Sequence, residues 1–209
     1  MTADRRSGTF ITFEGGEGTG KTTQIKRLAG HLRLLGHDVV TTREPGGAPG
    51  ADSIRSLLVS GATDKWDPLS ECLLLFAARR EHLVKTVWPA MEQGAWVLCD
   101  RFADSTRVYQ GATRGDLRGT VDKLHALMIG REPDLTCVID MDPEAALRRG
   151  LARKSGEDRF EDFGLIFQET LRHGFLALCH DFPKRCVLVD GNRDAAAIAT
   201  EIAEIVGDT

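Results

Sequence analysis

The chain has 209 residues, 42% of them hydrophobic and 28% charged, with 22 glycines and 7 prolines. That length predicts one domain over residues 1–209, and the glycine and proline content lies far below the ~25–30% of low-complexity chains. Lysines and arginines number 27 against 31 acidic residues, a net charge of −4, so a basic groove for nucleic acid is not expected.

In chain order, short apolar runs alternate with longer helical patterns. Residues 9–14 are β-branched and aromatic and end at a glycine cluster, which predicts a first strand. Residues 22–35 carry Ile25, Leu28, Leu32 and Leu35 at helical spacing, with Gly36 as the stop. A strand follows over 38–42, then a Pro/Gly loop that opens a helix near Asp52. Pro68 begins a long helix to about Val87, broken near Pro89. Residues 96–99 form a strand ending in Asp100, and residues 101–119 read as a polar, glycine-punctuated loop. A helix over 121–129, a strand over 135–139 and a helix from Pro143 with Asp142 as N-cap come next. Residues 153–158 read as a mobile loop. The chain closes with a helix over 163–182, a strand over 186–189 and a helix over 195–206. Strands alternating with helices predict a three-layer α/β fold with a parallel sheet, whose site lies beyond the carboxyl ends of the strands.

No run approaches the ~18 apolar residues of a membrane span. Residues 1–8 are polar, lack an apolar secretory core and are expected to be disordered. The five cysteines, Cys72, Cys99, Cys137, Cys179 and Cys186, show no CxxC spacing and read as reduced, mostly buried thiols. Together these predict a cytoplasmic protein.

Gly15-Gly16-Glu17-Gly18-Thr19-Gly20-Lys21-Thr22 satisfies G-x-x-x-x-G-K-[ST] between a strand and a helix. The glycines let backbone N–H groups approach phosphate, and the helix N-terminus adds positive potential. Lys21 is expected to reach the β- and γ-phosphates of ATP, and the Thr22 hydroxyl to hold Mg²⁺. Thr23 completes the nucleotide-binding segment. No Asn-Lys-x-Asp guanine motif occurs. Asp100, at a strand end, is either the metal-side carboxylate or a turn residue. Arg101 directly after it favours a metal and an anion side by side. Arg43 and Arg101, both at strand ends, suit a monophosphate. Arg107, Arg114 and Arg118 read as solvated surface residues.

These residues resemble the bacterial thymidylate kinase family, nearly end to end. The resemblance rests on the P-loop with Glu17 inside it, Thr42-Arg43-Glu44-Pro45-Gly46-Gly47, Leu73-Leu74-Leu75-Phe76 with Arg80 four residues on, and Asp100-Arg101-Phe102. Ser105-Thr106-Arg107-Val108-Tyr109-Gln110-Gly111 and Asp158-Arg159-Phe160-Glu161 extend it. It implies an αβα P-loop kinase fold with a five-stranded parallel sheet, a homodimer, and transfer of the ATP γ-phosphate to dTMP with Mg²⁺. It further implies that Phe76 stacks on thymine, although Phe76 also reads as a core residue. Arg80 would donate to thymine O4, Thr106 and Gln110 would read the base edge, and Tyr109 would lie under the deoxyribose. Arg43 and Arg101 would bind the dTMP phosphate, and Glu17 the sugar 3′-hydroxyl or a water on Mg²⁺. Catalytic arginines would come from a lid over 148–161: Arg149, Arg153 and Arg159. Residues 190–193 would contact adenine. Phe102 departs from the Tyr or His frequent there, and the Arg79-Arg80 pair makes the choice of base reader depend on spacing from Phe76. Another deoxynucleoside monophosphate kinase and a nucleotide-dependent switch ATPase are the alternative readings.

Overall fold

The computed structural model describes residues 8–62, 64–113, 115, 117–151 and 164–207. The expected disorder of residues 1–7, the mobile loop, Arg114, Arg153 and Arg159 lie outside them. Gly8 lies inside and is tied down, its N–H donating to the Met91 carbonyl at 2.9 Å.

The described residues form one parallel sheet of five strands: β1 (Phe10–Glu14), β2 (Val39–Arg43), β3 (Trp96–Asp100), β4 (Leu135–Asp140) and β5 (Cys186–Asp190). Their spatial order is β2-β3-β1-β4-β5, so β1 is central. Its register runs Phe10 opposite Val97 and Ile11 opposite Leu135. Parallel strands need crossovers, and here helices supply them on both faces. These are α1 (Lys21–Leu34), α2 (Pro49–Leu58), α3 (Pro68–His82), α4 (Trp88–Glu92), α5 (Ala103–Thr113), α6 (Arg118–Met128), α7 (Pro143–Leu151), α8 (Gly164–Asp181) and α9 (Ala195–Gly207).

Strand alternation divides the core. Ile11, Phe13, Leu98 and Ile139 pack with Ile25, Leu28 and Leu32 of α1 and Ile198, Ile202 and Val206 of α9. Phe10, Val97 and Cys99 face the other way, onto Cys72, Phe76, Leu83, Val87, Phe102 and Val121. Phe102 fills this second layer edge-on to Phe10, with ring centroids 5.0 Å apart, so the departure from Tyr or His there serves packing. A third cluster joins Val108 and Tyr109 to Val138 and to Leu171, Phe175 and Leu178 of α8.

Two boundaries differ from the sequence reading. The break near Pro89 takes the form of a widened turn, Leu83–Val87, between α3 and α4; Pro89 then stands in the first turn of α4, where its missing N–H leaves no bond unmade. The expected loop over 101–119 contains α5 in full. That helix buries polar side chains against polar partners, so the apolar periodicity that marks a helix is absent.

The cysteines are free, and Cys179 alone is less than fully buried. Burial pushes the Cys137 and Cys186 thiols up to about 12, and Cys72 and Cys179 to about 11. Such thiols are unreactive near neutrality. Among the described residues no helix is long and apolar enough to cross a membrane.

Candidate active site

The turn after β1 is built by backbone geometry. Gly15, Gly18 and Gly20 all have positive φ. At Gly18 a Cβ would stand 2.0 Å from the Ala146 carbonyl of α7, so only glycine lets that helix sit on the turn. Lys21 opens α1 and its Nζ donates to the carbonyls of Gly16 (2.7 Å) and Gly15 (3.1 Å). Burial, then Arg101, brings its ammonium down to about 8, against the opposing pull of Glu17, Asp100 and Glu14. The Thr22 hydroxyl donates to Asp100 Oδ2 at 2.8 Å. That pair joins two hard oxygens across β3, the donor chemistry Mg²⁺ prefers. No cluster of three or more His, Cys, Asp or Glu able to hold a metal occurs among the described residues. Thr23 follows on the exposed side of α1, its N–H bonded to the Gly20 carbonyl.

A cavity of about 840 Å³ opens from this turn. Glu17, Gly18, Gly20, Lys21 and Thr22 line it together with Arg43, Asp100, Arg101, Thr106, Tyr109 and Gln110. Gly15, Gly16 and Thr19 instead border a small hollow toward α7 and α8. Arg101 is the hinge of the arrangement. Its φ of 71° is unusual for a residue with a side chain. Its guanidinium donates to Glu17 Oε1 (2.5 Å), Ser105 Oγ (3.0 Å) and the Gly15 carbonyl (3.2 Å), and lies 4.9 Å over the Tyr109 ring. The Tyr109 hydroxyl also donates to Glu17, at 3.2 Å. Burial opposes charge on both Arg101 and Glu17. At Glu17 the pulls of Arg101, then of Lys21 and the Tyr109 hydroxyl, together outweigh it and keep the carboxyl below its ordinary value; at Arg101 Glu17, with Tyr109, Asp100 and Glu14, keeps the guanidinium above its own.

Glu14, at the end of β1 and fully buried, accepts from the N–H groups of Phe102 (2.7 Å) and Ser105 (3.2 Å), and from Ser105 Oγ (2.6 Å). It caps the start of α5 from another element and so fixes where Arg101 stands. Burial, then Asp104, pushes its carboxyl up to about 7.

The structure does not place the expected base-reading pair, Phe76 and Arg80, in the cavity wall. Glu71, Leu75 and Arg79 repeat every four residues and all line the cavity. Arg80, one residue on, is turned away: it is exposed, donates to the Met128 carbonyl at 3.2 Å and lies 4.6 Å over Trp88. Phe76 is likewise rotated into the core beside Phe10 and Phe102, so Leu75 occupies the cavity wall in its place. The 100° step of a helix decides both positions, and spacing from Phe76 did not fix its phase. Arg79 is 2% exposed. Its Nε donates to Glu44 Oε2 (2.7 Å), and its Nη2 to Thr106 Oγ1 (2.9 Å) and the Phe102 carbonyl (3.0 Å). Its Nη1 has no partner among the described residues. Glu44 is gripped from the other side by His82 Nδ1 at 3.0 Å, and His82 Nε2 meets Thr42 Oγ1 at 2.7 Å. Burial opposes ionisation of Glu44, yet Arg79 and His82 hold its carboxyl below the ordinary range.

Arg149 lies on α7 and its Nη1 contacts Met141 Sδ at 3.4 Å; it is not in the cavity wall, while Arg153 and Arg159 fall outside the described residues. The loop 190–193 is held beside β4 by the Gly191 N–H to the Asp140 carbonyl (2.7 Å) and the Asp142 N–H to Asn192 Oδ1 (3.1 Å). Arg107 corrects the surface reading: it is buried among Asp104, Asp122 and Glu132. Arg118 is half-buried and paired with Asp122 and Asp181. Sequence reasoning also missed Arg55, which lines the cavity from α2 and donates to the Pro45 carbonyl at 2.7 Å. It missed Glu14, Glu71 and Arg79 too. Glu14 and Glu71 carry no motif to mark them, and the spacing from Phe76 passed over Arg79 for its neighbour.

A family model described as thymidylate kinase matches residues 13–202. Thymidylate kinases of Dinoroseobacter shibae and Ruegeria pomeroyi are 63% and 56% identical to the chain. The first alignment covers 93% of this chain and 94% of the relative, the second 96% and 95%. Among solved structures, the crystal structure of thymidylate kinase from Ehrlichia chaffeensis matches with a TM-score of 0.79 at 34% identity, over 96% of this chain and 99% of that one.

Proposed function

The chain belongs to the thymidylate kinase family and is an ATP-dependent phosphotransferase; from that premise we propose how its own residues carry the γ-phosphoryl group of ATP to dTMP. The observation that carries the reading is the continuity of one cavity. It runs from Lys21 and the Thr22–Asp100 pair to Arg43, Arg55 and Arg101, and on to the slot between α3 and α5.

The P-loop end receives the triphosphate, with Lys21 against its outer phosphates. Thr22 and Asp100 would hold Mg²⁺, which would supply charge neutralisation at the triphosphate. Arg43, Arg55 and Arg101 bind the acceptor phosphate, the task planar guanidinium groups suit best. A monophosphate oxygen is already anionic near neutral pH, so attack on γ-phosphorus needs alignment more than a base. Arg101, locked by Glu17, Ser105 and Gly15, supplies that alignment, and Glu17 with Tyr109 faces the sugar. The base enters between α3 and α5, with Arg79 rather than Arg80 donating to O4 and with Leu75 on the wall. Arg149, Arg153 and Arg159 serve as the lid arginines that exclude water.

The partners are small nucleotides, not nucleic acid, and the setting is the cytoplasm, in one domain. A second copy of the chain covers the exposed apolar row Leu69 and Leu73 of α3 with Leu127 and Met128 of α6. The test is ADP formation from Mg·ATP with dTMP, dUMP, dCMP, dGMP, thymidine or no acceptor. Fastest turnover with dTMP is expected. Equal slow release in every tube overturns the acceptor assignment and favours a switch ATPase.

A further inference from the structure

The slot between α3 and α5 is closed at both ends by a cross-link. At one end Arg79 Nη2 donates to Thr106 Oγ1 at 2.9 Å. At the other, Gln110 Nε2 donates to Glu71 Oε1 at 2.7 Å. Thr106 and Gln110 are one turn apart on α5; Glu71 and Arg79 are two turns apart on α3, with Leu75 between them. All five line the cavity. Glu71 is fully buried and Gln110 is 2% exposed, so the bond between them is held away from bulk water.

An amide side chain is ambiguous by itself: one end donates and the other accepts, and a half-turn about its last bond exchanges them. A carboxylate removes that ambiguity, because its oxygens accept and its repulsion excludes a facing carbonyl. With Nε2 held on Glu71, Oε1 is the end of the amide left for the cavity. Arg79 presents the opposite polarity, a donor Nη1 with no partner among the described residues.

We propose that Glu71 is a specificity-determining positioning residue, which locks the Gln110 amide so that the slot offers an acceptor beside the Arg79 donor. The inference rests on the nucleotide-kinase reading above and goes past it. The complementary ligand edge is a ring N–H donor next to a carbonyl oxygen, as thymine and uracil carry at N3 and O4. A base whose ring nitrogen accepts meets the Gln110 oxygen lone pair to lone pair. To bind, it must turn the amide and leave a carbonyl against the Glu71 carboxylate. Glu71 itself touches no substrate; it acts through Gln110.

The test uses two acceptors that differ at this edge. The first is dTMP. The second is the deoxynucleotide of 5-methylisocytosine, which keeps the methyl group and O4 but turns N3 into an acceptor. Its altered C2 substituent is common to every enzyme compared and cancels. Wild type prefers dTMP, and in Glu71→Gln the preference shrinks by about tenfold, the factor one buried hydrogen bond carries. The change lies in KM for the isocytosine acceptor. KM for ATP stays within about threefold of wild type, because Glu71 bonds Gln110 of α5 and not the P-loop. A merely structural role moves both KM values together and leaves the preference ratio alone. Melting temperature verifies the fold. If Glu71→Gln does not fold, Glu71→Asp, one methylene short of Gln110, is measured with the same narrowing expected. An unchanged ratio in a folded variant overturns the proposal. If wild type phosphorylates neither acceptor, it is the kinase reading that falls.

Discussion

Two clusters of buried charge lie on opposite sides of α5, and only one of them lines the cavity. On the side away from the cavity, all three nitrogens of Arg107 are bonded: Nη1 to Asp104, Nε to Asp122 and Nη2 to Glu132, at 2.6–2.8 Å. Arg185 adds bonds of 2.6 and 2.9 Å to Asp104 and lies 4.3 Å over Phe182. Burial opposes ionisation of Asp104, but Arg185 and Arg107 hold its carboxyl below the ordinary range. On the cavity side Arg79 keeps one nitrogen without a partner among the described residues, and Arg101 stands beside the P-loop with Glu17 as its counter-ion. The first cluster leaves Arg185 Nε without a partner among the described residues, but it does not line the cavity; it ties α5 to the region around β5. The second lines the cavity, and its unpartnered Arg79 nitrogen belongs to a lining residue. Buried ion pairs add little net stability over apolar packing, so the first reads as scaffold; the Arg79 nitrogen of the second gives an anionic or carbonyl-bearing ligand a donor to meet.

The comparison breaks first if the cavity side proves dispensable. Lys21→Ala is expected to lower kcat/KM by ~10³ or more, as for other preorganised charges at a transferring phosphoryl group, with a melting temperature within a few degrees of wild type. Steady-state kinetics and a thermal melt read both numbers. Second, Asp104→Asn leaves Arg107 and Arg185 without their shared carboxylate. It should cost about 3–5 kcal/mol in urea unfolding, while the folded fraction keeps near-normal KM values. Unchanged stability would show that the Asp104 carboxylate does not hold the scaffold cluster together.

Third, the adjacent arginines should separate. Arg79→Ala is expected to raise KM for dTMP by about 10–100-fold, since it removes a charged hydrogen bond. Arg80→Ala should change it by less than about threefold, because an exposed contact on a carbonyl is weak. Equal effects would restore Arg80 to the site.

How much of this could be read from the residues depends on what holds each element. The strands and the P-loop were legible, because β-branched runs and a glycine-lysine motif report on their own geometry. Helix α5 was not: its two faces are both buried but polar, and periodicity counts only apolar residues. For the same reason Arg107 passed for a surface residue. The choice of Arg79 over Arg80, and of Leu75 over Phe76 at the wall, turns on helix phase against a neighbour, which no local spacing contains. Glu44, Glu71 and Glu14 hold the site through bonds to residues 35 to 91 positions away, so they carry no local mark.

A separate, pH-dependent effect concerns Glu14. Its carboxyl is raised to about 7 from 4.5, so between those values the folded chain binds more protons than the unfolded one. Its contribution is therefore fully present below pH 4.5 and is lost as pH rises through about 7. Glu14→Gln should accordingly gain up to about 3 kcal/mol on wild type between pH 4.5 and pH 8. Urea unfolding of both proteins at the two pH values checks the sign; a loss instead of a gain would place Glu14 among the ionised, paired carboxylates.

The most direct measurement follows the phosphoryl group itself. With γ-labelled Mg·ATP and dTMP, label is expected in dTDP in equal amount to the ADP formed, with negligible inorganic phosphate. Label released chiefly as inorganic phosphate, at a rate dTMP does not change, would contradict the account.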